Sequence, residues 1–199
     1  MSLVLITGSS GLVGSESVDF FCQKGFDVVG VDNDLRKHFF GKKASTKWQT
    51  KILLKRYKNF KNFNIDIRNY LSLKKIFNFY RKKICLIIHC AAQPSHDYGK
   101  NHPILDFNVN ATGTLNLLEL TKKFCPDAPF IFMSTNKVYG DNPNRIPLIK
   151  KKFRYEVGKK SEYFKGINEE FSIDKCTHSF FGVSKTYADL IVQEYGKNV

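Results

Sequence analysis

Apolar residues gather in five short, nearly continuous runs, and between most of these runs they recur every three or four positions. The runs are residues 3–8 (LVLITG), 26–33 (FDVVGVDN), 63–67 (FNIDI), 84–92 (ICLIIHCAA) and 129–135 (PFIFMST). Their length and β-branched content predict buried strands, and the fourth is too continuously apolar to have a wet face. Helical spacing predicts helices over 11–24 (Val18, Phe21 and Cys22, closed by Gly25), 69–82, 104–124 and 181–195, the last with Val183, Tyr187, Leu190 and Ile191 on one stripe. Residues 34–60 are basic, aromatic and irregular and read as a loop with one helical turn. Residues 140–177 are polar, with Pro143, Pro147, Gly158 and Gly166, and read as a long surface excursion. Strand–helix alternation with buried strands predicts an α/β fold, a doubly wound parallel sheet of five strands flanked by helices in one domain over residues 1–199.

At 199 residues and 42% hydrophobic content the chain can bury a substantial core and does not read as disordered. The formal charge of +14 raises nucleic acid as a partner. The lysines come in short pairs along the whole chain, however, and six of the 32 cations are Arg. Solvated surface lysine is the expectation, with no nucleic-acid partner. The five cysteines are odd in number and form no CxxC. They predict reduced residues of a cytoplasmic protein without a metal. No run reaches membrane length, so no membrane partner is expected, and the N-terminus lacks the basic segment of a signal peptide.

TGSSGLVGS sets Gly8, Gly11 and Gly14 between a predicted strand and a predicted helix. In that context Gly8 permits a tight turn and Gly14 close helix–strand packing. Gly11 lets the N–H groups near Leu12 and Val13 approach a pyrophosphate. Asp32, with Asn33 beside it, ends the second strand where a carboxylate binds ribose hydroxyls and repels a 2′-phosphate. NAD is therefore expected over NADP, against the alternative of a plain strand-end turn acid. Arg36 lies close enough to weigh on that preference.

Five further motifs point the same way: NIDIRN (64–69), HCAAQPSHD (89–97), FNVNATGTLNLLEL (107–120), MSTNKVYGD (133–141) and HSFFGVSK (178–185). With the Gly8-x-x-Gly11-x-x-Gly14 spacing, they make the chain resemble the short-chain dehydrogenase/reductase superfamily. Within it they resemble the extended branch, the nucleotide-sugar epimerases and dehydratases, and in particular the CDP-paratose 2-epimerase (tyvelose epimerase) group. The resemblance implies a Rossmann-type NAD domain and epimerisation of a nucleotide sugar, a CDP-sugar foremost, by transient hydride abstraction. It implies cofactor contacts at Asp66, Ile67, Ala91, Ala92, Gln93, Asn110 and Lys185, and substrate contacts at Gln93, Ser95, His96, Asn136 and Lys137. It also implies that further strands and a substrate domain follow in the family beyond the 199 residues, so that a homo-oligomer or a partner chain is expected to complete the site.

Catalysis in this branch rests on Thr135, which bonds the reacting oxygen, and on a Tyr–Lys pair one helical turn apart. The lysine is Lys185; the tyrosine position holds Phe181. Phe181 is either core or a wall of the site. His178, three residues earlier, is the first substitute base by its ordinary titration range, or else a loop or cap histidine. Dehydratases of the branch carry Asp-Glu after the strand-five Thr. Asn136 and Lys137 stand there, which leaves epimerisation or plain redox. The alternative to an active epimerase is a catalytically impaired NAD-binding remnant or partner subunit.

Overall fold

The computed structural model describes residues 2–198. Five strands, β1 (Leu3–Thr7), β2 (Asp27–Val31), β3 (Phe60–Phe63), β4 (Ile84–His89) and β5 (Phe130–Phe132), form one sheet in the order β3-β2-β1-β4-β5. All four pairings are parallel. This is the doubly wound α/β sheet that the alternation predicts. The strand order reverses between β1 and β4, which opens a crevice at their carboxyl ends.

Strand side chains alternate between two cores. Leu3, Leu5, Val29, Val31 and Ile87 face one, which α4 (Tyr70–Tyr80) and α7 (Gly113–Phe124) close with Leu73, Ile76, Phe77, Leu117 and Leu120. Val4, Ile6, Val28 and Ile88 face the other, closed by Val18 and Cys22 of α1 (Leu12–Gln23) and by Leu53. Both layers bury Leu/Ile/Val/Phe side chains worth about 1.5–3 kcal/mol each on removal from water.

Three sequence expectations are corrected here, over residues 34–60, the third strand and the surface excursion, and a helix to which the sequence assigned nothing is added. Residues 34–60 are not a loop with one turn: they carry α2 (Arg36–Phe40) and a ten-residue helix, α3 (Lys47–Arg56). Only Leu53 of α3 is buried, while Trp48, Ile52 and Leu54 are exposed, so no apolar stripe marks it. The third strand lies at Phe60–Phe63 rather than 63–67, because Ile65 and Ile67 belong to the turn beyond the strand end. A short helix, α5 (His96–Asn101), follows the fourth strand, capped by Ser95 Oγ accepting from Tyr98 N at 3.1 Å. The surface excursion contains a hairpin, β6 (Leu148–Lys150) with β7 (Tyr155–Val157).

The predicted 104–124 helix is present as α6 (Pro103–Phe107) and α7, joined by a π-helical turn at Asn108–Thr112. The last helix, α8 (Ser179–Asn198), does not bury the predicted stripe. Val183 and Leu190 are exposed, and Phe181, Gly182, Ser184, Lys185 and Ala188 form the buried face. The helix is turned by polar partners on α6 and on the π turn, described next.

Candidate functional site

α1 begins without a side-chain cap. Its N-cap, Gly11, is extended (φ −74°, ψ 176°), and the first turn carries no acidic residue. Gly11 N donates to Gly8 O at 2.9 Å and Ser15 N to Gly11 O at 2.8 Å, and the N–H groups of Leu12, Val13 and Gly14 meet no acceptor among the described residues. Three orphan donors at the positive end of a helix form an anion cradle.

The three glycines divide by what a Cβ would meet. At Gly14 it would lie 2.1 Å from Gly8 O, and at Gly8, where φ is +66°, 2.7 Å from Ala91 N. At Gly11 the nearest atom is Gly8 O at 3.3 Å. The fold itself therefore requires Gly8 and Gly14. The bare side of Gly11 is space the protein leaves unfilled.

That space belongs to a cavity of about 250 Å³ at the switch point. Its lining brings together Gly8, Gly11, Leu12, Val13, Gly14, Asp32, Asn33, Asp66, Ile67, Ala91 and Ala92, all of them cofactor candidates from the sequence. Arg36, Thr46, Cys90, Pro94, Val109 and Met133 also line it and carry no sequence signal for the role, except Arg36, whose charge stands close to Asp32. Asp32 accepts from Ser10 N (2.9 Å) and Asp34 N (2.8 Å), which ties the glycine turn to the segment after β2. Burial pushes the Asp66 carboxyl up, but Arg68, bonded at 2.6 Å, and Asn33, at 3.0 Å, outweigh this and hold it below the usual carboxylate range.

Gln93 and Asn110 are buried behind the cavity. Gln93 N donates to Asn110 Oδ1 (2.8 Å), and Asn110 Nδ2 donates to Gln93 O (3.2 Å). Asp106, fully buried on α6, accepts from Gln93 Nε2 and from Ser184 Oγ, both at 2.5 Å. Burial raises the Asp106 carboxyl pKa against these bonds and the Lys185 charge. The network pins α8 to the strand-four loop and to the π turn, and π turns of this kind gather at functional sites.

A second buried chain runs through His89, which sequence reading misses because the residue sits inside an apolar run. Ala91 N donates to Thr7 Oγ1 (3.2 Å), and Thr7 Oγ1 meets His89 Nδ1 (2.6 Å). His89 Nε2 meets Thr114 Oγ1 (2.9 Å), whose hydroxyl donates to Asn110 O (2.6 Å). Thr114 has spent its hydrogen, so Nε2 carries the imidazole proton and Nδ1 accepts from Thr7. His89 is neutral, its pKa pushed down to about 3 by burial and by the Lys185 charge.

The catalytic candidates are less closely gathered. Lys185 is buried; its Nζ donates to Met133 O at 2.7 Å and lies 4.0 Å from the centroid of the Phe132 ring. Burial lowers its pKa to about 8, against the Asp189, Cys90 and Asp106 charges. It stands behind the cavity wall that Met133 lines. Phe181, one turn before it, is buried at 8% exposure and lies outside both apolar cores. Thr135 caps the turn Asn136–Tyr139 and, with Asn136, lines a separate groove against α8. Lys137 and His96 are exposed. The His178 ring nitrogens lie 3.7 and 3.8 Å from Cys176 Sγ, so the histidine is a loop residue packed on a thiol.

A glycine-cradled cavity at the switch point of a 3-2-1-4-5 parallel sheet defines a Rossmann-type nucleotide-binding protein. The chain belongs to the GDP-mannose 4,6 dehydratase family, whose model matches residues 5–199. It is 32% identical over 198 residues to CDP-paratose 2-epimerase of Salmonella typhi, covering 98% of this chain and 53% of that protein. It is 36% identical over 144 residues to UDP-glucuronate 4-epimerase of Thermodesulfobacterium geofontis, covering 72% of this chain and 42% of that protein. The UDP-Glc/GlcNAc 4-epimerase of Campylobacter jejuni superposes with a TM-score of 0.74 at 21% identity, over 99% of this chain and 50% of that one. The chain thus spans about half the length of the relatives it matches.

Proposed function

We propose that this chain binds NAD in the switch-point cavity and serves the epimerisation of a nucleotide sugar, a CDP-sugar foremost, as a cytoplasmic enzyme. The observation that carries the reading is the Gly11 cradle with its three free N–H donors. The family match and the likeness to CDP-paratose 2-epimerase support it. The cradle takes the pyrophosphate, Asp32 and Asn33 the adenosine ribose, and Asp66 and Ile67 the adenine side. Ala91, Ala92, Gln93 and Asn110 bound the nicotinamide end. When bound, NAD supplies the hydride acceptor. The chain's own residues would hold and orient: Lys185, bonded to Met133 O behind the cavity wall, would serve the nicotinamide ribose, and Thr135 would offer its hydroxyl to the reacting oxygen. Ser95, His96, Asn136 and Lys137 stand on the substrate side, and the absence of Asp-Glu after Thr135 favours epimerisation over water elimination.

The proton-transfer seat decides how active the chain is. Phe181→Tyr places a phenol one turn before the Lys185 ammonium, which draws its pKa down toward working pH. With bound NAD and CDP-paratose, NADH fluorescence is expected to appear roughly 10²–10⁴ times faster than in the parent, with the melting temperature unchanged. A lower melting temperature without NADH assigns Phe181 to packing alone. A parent that already turns over well moves the proton to another group, and His178→Ala is then the variant that tests it.

The site is proposed to be completed in an assembly. β5 stands at the sheet edge with Ile131 exposed, and an unpaired edge invites association. Light scattering is expected to give a mass above the 22.9 kDa of one chain, and a monodisperse monomer at high concentration overturns the assembly.

A further inference from the structure

The chain's positive charge is not spread evenly once the fold is known. Residues 145–165 hold eight cations (Arg145, Lys150, Lys151, Lys152, Arg154, Lys159, Lys160 and Lys165) against two carboxylates, so six of the net +14 lie in this one stretch. The β6–β7 hairpin is its centre. The two strands pair only with each other, in the register Leu148↔Val157, Ile149↔Glu156 and Lys150↔Tyr155. Lys151 N donates to Arg154 O at 2.8 Å and closes a four-residue turn, which puts Lys152 and Phe153 at the tip.

Phe153 is 89% exposed, and the one ring partner found for it is the neighbouring Lys152 ammonium, 5.1 Å from the ring centroid. Leu148, Ile149 and Tyr155 on the hairpin stem are exposed as well. Of the four cations in the run 150–154, Arg154 is paired with Glu156, and among the described residues the three lysines appear in no ion pair. An aromatic at the outermost point of a hairpin, ringed by unpaired lysines above an aliphatic stem, has no use in water. It has one at a boundary where hydrocarbon lies beneath a layer of negative charge.

We propose that the β6–β7 hairpin docks on an anionic lipid surface, with Phe153 entering the headgroup layer and Lys150, Lys151 and Lys152 resting on lipid phosphates and carboxylates. This contact needs no membrane span, and among the described residues no helix is long and apolar enough to form one. A second copy of the chain is disfavoured as occupant, since the same cations would meet. Nucleic acid is disfavoured because the one arginine of the hairpin is paired with Glu156, leaving lysines for phosphate, and the exposed aliphatic Leu148 and Ile149 have no counterpart on a nucleic-acid backbone. The hairpin forms no part of the switch-point cavity lining.

The test is co-sedimentation of the full chain with phosphatidylcholine vesicles, with and without phosphatidylserine. Binding is expected to the anionic vesicles alone and to fall with salt. Replacing Lys150, Lys151 and Lys152 together by Gln is expected to weaken it about 100-fold, at roughly fivefold for each charge near the surface. Phe153→Ser is expected to weaken it roughly tenfold with the melting temperature unchanged. The only native tryptophan is Trp48, so the double variant Trp48→Phe/Phe153→Trp reports from the tip alone. Its emission is expected to shift to the blue on anionic vesicles. Absence of binding, binding that survives the triple lysine variant, or an unshifted emission overturns the proposal. So does a short RNA or DNA duplex that binds the hairpin more tightly than the vesicles and displaces them, which assigns the patch to nucleic acid.

Discussion

Gly11→Val is expected to remove NAD affinity, by at least about 100-fold in Kd, while leaving the melting temperature near that of the parent. The extended backbone at Gly11 suits a β-branched residue, and its Cβ would approach only Gly8 O, at 3.3 Å. The isopropyl group then occupies the space over the Leu12, Val13 and Gly14 N–H groups. Hydrogen bonds from such donors to a charged group contribute about 1.5–3 kcal/mol each, so losing two of them already exceeds a 100-fold change. Gly14→Ala is the contrasting variant. Its Cβ would sit 2.1 Å from Gly8 O, a backbone atom with nowhere to go, and the chain is expected to fold poorly or not at all. Calorimetry with NAD and NADP, beside thermal melting, reads both. Tight binding by Gly11→Val would sink the cradle. Collapse of its melting temperature would make Gly11 a folding glycine like the other two. Asp32→Ala is expected to narrow the preference for NAD over NADP. It is also expected to lower stability by about 1–3 kcal/mol, because the Ser10 and Asp34 N–H groups lose their acceptor.

The cofactor half of the site was legible in the sequence for a physical reason. A parallel strand buried on both faces must be continuously apolar, a tight turn must be glycine, and both constraints act within a dozen residues around Gly8. The same logic fails where burial is partial. α3 buries Leu53 alone, so its ten residues carry no periodic signal. β3 pairs on one side with β2, and its Lys61 is exposed and Asn62 half-buried, whereas the more apolar Ile65 and Ile67 lie beyond its end. The buried face of α8 was misread. Its apolar Val183 and Leu190 are exposed, while Ser184 and Lys185 are buried because Asp106, Asn110 and Met133 O satisfy them. A polar network chosen by distant partners leaves no pattern in its own helix, and such local inconsistency is what functional sites produce. Asp106 and His89, which organise that region, sit where an apolar residue would serve folding as well, and nothing in their local sequence sets them apart.

His89 is expected to cost this fold stability in acid. In the unfolded chain its imidazole takes up a proton near pH 6.5; in the folded protein burial and the Lys185 charge hold the pKa down at about 3. The folded pKa is depressed, so the stabilising contribution is whole above about pH 6.5 and falls away as pH drops toward 3. Between pH 7 and 4.5 the loss from this one residue is about 2.5 kcal/mol, a large share of the few kcal/mol that hold a domain together. His89→Gln isolates it. The amide offers an acceptor to Thr7 and a donor to Thr114 in place of Nδ1 and Nε2–H, but does not titrate. At pH 7 the Gln variant is expected to be less stable, by roughly 1–3 kcal/mol, because a flexible amide reproduces the rigid ring's bonds imperfectly. At pH 4.5 the two proteins are expected to be equally stable, or the order reversed. Urea unfolding at the two pH values measures the difference, and parallel losses in parent and variant would show that His89 keeps an ordinary pKa in the fold. NAD affinity of the folded parent is expected to hold down to pH 4.5 and to fall only as pH approaches 3, where the buried imidazole itself takes up a proton. Thr7 Oγ1 accepts from Ala91 N and donates to His89 Nδ1, which joins the residue before Gly8 to the cavity wall, so a proton on Nδ1 turns the Thr7 hydroxyl from its acceptor and loosens the cradle at its base.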